Sequence, residues 1–180
     1  MLKRIEILLL VSAVVAINLH LLLWSGAELI SIIAFSGLAL LYPFLSMALF
    51  INDSQSISIT SMIPGLTFSI VLVGMMFKLQ MWPGFQANLV IGIIGLLILI
   101  IYSFTLKDPN QKAGFKVLRK RAIPMVIIAI ITLMLPKYTW LETKYSKYPV
   151  YIETVKQLDK NPDNLQIQQR IDSLQNHLIK

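Results

Sequence analysis

The sequence predicts an all-α, polytopic membrane bundle with a small helical tail, and three observations carry that class. Hydrophobic residues make up 56% of the chain and charged residues only 14%, against about 25% charged in a typical soluble domain. Apolar runs recur through residues 1–141, several of them near the roughly 20 residues that a helix needs to cross the hydrocarbon core. Lysine and arginine collect beside these runs, as they do where charge sets membrane orientation. A chain of 180 residues then holds one bundle, 1–141, and a polar helical tail, 142–180, with no room for a large soluble catalytic domain.

The net charge of +7 could suggest nucleic acid. The cations flank apolar spans, however, where they act as topology signals and as contacts for anionic lipid. The lipid bilayer is the expected partner and nucleic acid is not. The absence of cysteine excludes disulfides and thiolate metal ligands, and it fits either side of a membrane.

The first span, residues 5–24, follows Lys3 and Arg4. That basic start resembles a signal peptide, but apolar character continues to Trp24 without a small-residue cleavage site, so a retained helix is expected. The second span, 29–50, contains Pro43, which removes a backbone donor and predicts a kink. Residues 52–58 form a polar turn. The third span, 60–81, carries Pro64 near its start, where a missing N–H costs least, and Trp82-Pro83-Gly84 stops it. The fourth is 88–106. Lys107 to Arg121 reads as a basic loop. The fifth, 122–141, is the weakest, because its apolar core ends at Leu135 before Pro136 and Lys137, after which Tyr138 and Trp140 supply an interfacial belt.

Lys107, Lys112, Lys116, Arg119, Lys120 and Arg121 put the loop between spans four and five on the cytoplasmic side. Counting back, the amino terminus is also inside, and Lys3 and Arg4 agree. Trp24 and the corner at Trp82 face outward. With five spans the tail lies outside as well, in a bacterial periplasm.

A shift of 58 positions superposes Trp24 on Trp82, Gly26 on Gly84, Gly37 on Gly95 and His20 on Lys78. This predicts a tandem repeat of one helical hairpin, with the two copies parallel because both start inside. The alternative is two unrelated hairpins with similar interfacial belts.

The run Phe77-Lys78-Leu79-Gln80-Met81-Trp82-Pro83-Gly84, followed by a helix interrupted at Gly92 and Gly95, resembles the amino-terminal transmembrane hairpin of the gliding-motility protein GldL. The resemblance covers Val71 to Phe104. In that family a Phe-Lys-x-x-His-Trp-Pro-Gly corner joins two helices of an inner-membrane motor complex of Bacteroidota. Phe77, Lys78, Trp82, Pro83 and Gly84 match by position and form the candidate functional corner. The resemblance implies an outward-facing corner, in agreement with the charge count. Met81 stands where the family has histidine, and the acidic residues that its helices use for proton coupling have no counterpart, since Asp53 is the only carboxylate between Glu28 and Asp108.

The candidate intramembrane polar residues are Asn18, His20, Gln80 and Asn88. Asn18 and His20 are expected to bond to neighbouring helices. Lys78, one turn before Trp82, is expected to snorkel to the outer headgroups; the alternative is a cation inside the bundle near Asn88 or Gln80. Gly65, Gly74, Gly92 and Gly95 are read as close-packing sites. His20 and His177 are the only histidines and lie far apart, so neither a metal set nor a cofactor site is expected, and no nucleophile elbow or phosphate loop is present.

In the tail, Tyr151, Val155 and Leu158 share one helical face, Asn161-Pro162-Asp163 breaks the helix, and Asp163 is placed to cap a second one. There Ile167, Ile171, Leu174 and Leu178 form an apolar stripe that packs on the first tail helix, a partner or a second copy of the chain. The expected function is that of a noncatalytic inner-membrane subunit that assembles with other envelope proteins or with itself. The alternative is a small channel or transporter subunit with a polar path near Lys78 and His20.

Overall fold

In the computed structural model the described residues are 2–22, 26–50, 59–106 and 109–178. They are helical throughout, with no strand among them: α1 (Leu2–Leu21), α2 (Ala27–Phe50), a 3-10 turn (Ile59–Met62) leading into α3 (Ile63–Leu79), α4 (Phe85–Thr105), α5 (Pro109–Met134), α6 (Thr139–Lys144), α7 (Pro149–Lys160) and α8 (Leu165–Leu178). Two compact units result, Met1–Lys137 and Tyr138–Lys180.

The first unit is built around α3, which packs between α2 and α4; α1 covers α2, and α5 lies mainly on α4 while touching α3 and α2. Phe68 and Val71 of α3, Leu38 of α2, Leu89 and Leu96 of α4 and Ala129 of α5 are buried in its core. Its outside is also apolar: Leu8 and Val11, Ile33 and Leu40, Ile98 and Ile101, and Ile127 and Ile131 are all exposed. Two helices, Ala27–Leu49 and Phe85–Thr105, are long and apolar enough to cross a membrane. α3 is apolar but has 17 residues, and α1 and the first half of α5 carry charges.

Glycines set the helix spacing. A Cβ on Gly65 would lie 2.3 Å from the Tyr42 carbonyl oxygen, and one on Gly92 would lie 2.5 Å from Val71 Cγ2. Gly74 admits Leu89 in the same way, at 2.9 Å. Small residues allow such approach where no hydrophobic force drives helices together.

The 58-residue period recurs in three dimensions. Leu21 ends α1 and Leu79 ends α3; Ala27 starts α2 and Phe85 starts α4. Gly37 faces Leu9 as Gly95 faces Thr67, and the Gly26 carbonyl accepts from Ile30 N–H as Gly84 accepts from Asn88 N–H. All six buried residues of α4 (Phe85, Leu89, Gly92, Ile93, Leu96, Ser103) fall on buried positions of α2.

Two expectations are corrected. Lys107–Arg121 is not a loop: from Pro109 onward it is the first half of α5. Pro109 suits a first helical position, and Phe115, Leu118 and Ala122 give the basic half a buried stripe. The helix of the fifth span ends at Met134, not residue 141, because Pro136 cannot continue it.

In the second unit α7 and α8 pack together, with Ile167, Ile171 and Leu174 partly covered. The cap of α8 is Asn164 in place of Asp163: its Oδ1 accepts from the N–H groups of Gln166 and Ile167 at 3.1 and 3.3 Å. Tyr138 donates to Asp159 at 2.5 Å, and Lys156 pairs with Glu142 at 2.6 Å.

Candidate functional site

The corner after α3 is a Schellman closure. Gln80 is the C-cap; Trp82 N–H donates to the Phe77 carbonyl at 2.8 Å and Met81 N–H to that of Lys78 at 3.2 Å, the two bonds that define the motif. The motif also brings the side chains before and after the turn together. Here those are Phe77 and Trp82, edge to face at 5.3 Å. The left-handed residue that usually falls to glycine is Met81, at φ 59. Pro83 follows, and Gly84, at φ 85, starts α4. Phe77, Gln80, Met81, Trp82 and Gly84 therefore each have a backbone or ring-packing role in the turn.

Lys78 does not snorkel. It is 1% exposed, and its ammonium donates to the carbonyls of Thr132 and, at 2.5 Å, Leu135, with the Phe85 ring 5.2 Å away. The Thr132 carbonyl would ordinarily receive the N–H four residues on, and that residue is Pro136, which has none. Lys78 supplies the missing donor at the negative end of α5. Two carbonyls accept from the ammonium, and the Phe85 ring face lies within cation–π range of it.

The same repair occurs one helix away. Pro43 stays inside a continuous α2 and leaves the Ala39 carbonyl without its helical donor; Ser69 Oγ donates to that oxygen at 2.5 Å. Neighbouring side chains make such prolines tolerable in an apolar bundle. In both cases the donor comes from α3.

Gln80 donates to Ser31 Oγ at 2.7 Å and reaches the Glu28 carbonyl at 3.4 Å, tying the corner to the start of α2. Asn88 sits in the first turn of α4, bonded through its backbone to Gly84, and is not the partner of Lys78. Asn18 bonds within its own helix, to the Val14 carbonyl at 2.8 Å, and among the described residues it makes no bond to a neighbouring helix. The His20 side chain lies outside the described residues.

At the opposite end of the bundle is a cluster that the sequence reading missed. Glu6 of α1 is 5% exposed; its Oε1 lies 2.9 Å from Arg121 Nη1, and near it is Tyr42, whose ring stacks on Phe68 at 4.9 Å. Arg121 Nη1 is buried without a directed hydrogen bond, so charge holds the pair. The 58-residue period was the available signal: two periods on from Glu6 is Ala122, next to Arg121. Among the described residues no group of three metal-ligating side chains occurs. No family profile, curated protein or solved structure matches this chain.

Proposed function

We propose that the chain is a noncatalytic, five-span inner-membrane protein that serves as an assembly subunit of an envelope complex, built on a GldL-like hairpin. The observation that carries this reading is Lys78, whose ammonium is consumed by two main-chain carbonyls and a ring. A conducting subunit needs such a group free to meet a solute or a proton. The corner is instead a rigid joint between α3, α4 and α5.

Five spans are supported by the level of the odd-numbered helices. Lys78 meets α5 at Thr132 and Leu135, just short of its own position plus 58, and Glu6 meets α5 at Arg121. α1, α3 and α5 therefore run in the same sense, and the apolar half of α5 lies at the level of α3. A reporter fused after Lys116 should then read cytoplasmic and one after Lys180 periplasmic. The kinship with GldL rests on the corner, whose residues shape the turn and bring no motor chemistry.

The test is purification from native membrane after mild cross-linking. A large complex with reproducible inner-membrane companions is expected. A solitary chain that supports solute flux in liposomes would sink the assembly reading in favour of the channel.

A further inference from the structure

We propose that the outward face of α5 is a binding site for one anionic phospholipid, a proposal that rests on the membrane reading above. Lys112, Lys116 and Lys120 recur every four residues, which sets them one above the other on a helix. The same face continues as Ile123, Ile127 and Ile131, and Lys116, Lys120 and these three isoleucines are exposed. A cationic stretch that gives way to an aliphatic one along a single face matches a phosphate headgroup followed by its acyl chain. From Lys116 to Ile127 the helix rises about 16 Å at 1.5 Å per residue, about half of a hydrocarbon core roughly 30 Å thick, the reach of one acyl chain.

The other cations of α5 are already occupied inside the protein. Arg119 lies over the Phe104 ring at 4.4 Å, and Arg121 pairs with Glu6. Among the described residues Lys116 and Lys120 have no such partner: α5 contains no aspartate or glutamate, and neither lysine meets a carboxylate. Like charges four apart weaken a helix, so an external anion restores the balance. The exposed Tyr102 and Phe104 at the end of α4 mark the headgroup level beside it.

The full chain in phosphatidylcholine vesicles, probed with spin-labelled phosphatidylglycerol and spin-labelled phosphatidylcholine, gives the relative association of the two lipids. Phosphatidylglycerol should be preferred. Each lysine lost should lower that preference about fivefold, so Lys116→Gln with Lys120→Gln should lower it by about 25-fold with helicity unchanged. Lys147→Gln with Lys160→Gln, in the second unit, should leave it intact, and millimolar inorganic phosphate should not displace the labelled lipid. Equal association of both lipids, an equal loss from the control pair, or displacement by inorganic phosphate would each overturn the proposal while leaving the membrane reading standing. A chain that inserts into neither lipid overturns both.

Discussion

The Lys78 ammonium donates to the Thr132 carbonyl, the oxygen that Pro136 cannot serve. A lysine near the end of one helix thus completes the end of another, and the bond is buried. Its loss leaves a carbonyl unsatisfied in apolar surroundings, and that cost sets the first test.

Lys78→Met should destabilise the bundle by about 1–3 kcal/mol, the range for a charged hydrogen bond lost from a buried carbonyl. Pro136→Ala restores an N–H four residues after Thr132 and should recover part of the loss in the double variant. Thermal unfolding of the four proteins in one detergent gives the coupling. If the two changes add independently, Lys78 is not the substitute donor.

Ser69→Ala should cost about 1 kcal/mol by the same reasoning. The Ala39 carbonyl loses the Ser69 donor, and Pro43 provides none from within α2. The loss should shrink in a Pro43→Ala background. An unchanged melting temperature for Ser69→Ala would remove the repair role from this bond.

Met81→Gly should stabilise the corner by about 1 kcal/mol, because an L-residue at positive φ carries a penalty of about that size. Gly84→Ala should cost a similar amount from backbone strain alone, since no atom lies within 4 Å of the added methyl group. Gly65→Ala should be much worse, because the added carbon meets the α2 main chain. Ranking the three by thermal stability checks the turn and the packing together, and a Gly84→Ala protein as damaged as Gly65→Ala would contradict it.

Glu6→Gln should destabilise by about 3 kcal/mol, the low end for removing one partner of a buried ion pair, because Arg121 retains partial access to solvent. Replacing both, Glu6→Met with Arg121→Leu, should recover most of that loss. Chemical unfolding in mixed micelles distinguishes the two outcomes. Additive losses would mean that the residues act separately.

Much of this architecture was legible in the sequence because it depends on local quantities. Apolar length marked the helices, the Trp-Pro-Gly run fixed the corner, and the recurrence of Trp24 at Trp82 announced the repeat whose contacts recur between Leu9 and Gly37 and between Thr67 and Gly95. The basic half of α5 was misread because charge conceals a helix whose buried stripe, Phe115, Leu118 and Ala122, is short and mixed with lysines. What only the tertiary structure decided is which donor serves which acceptor. Pro43 and Pro136 state in the sequence that two carbonyls are orphaned, but not that Ser69 and Lys78 answer them. Glu6 and Arg121 are more than a hundred residues apart, and only the packing of α5 against the earlier helices brings their charges together. Snorkelling was the cheaper expectation for Lys78 by itself; the buried position prevails because two unsatisfied carbonyls at a helix C-terminus offer the ammonium what water would have provided.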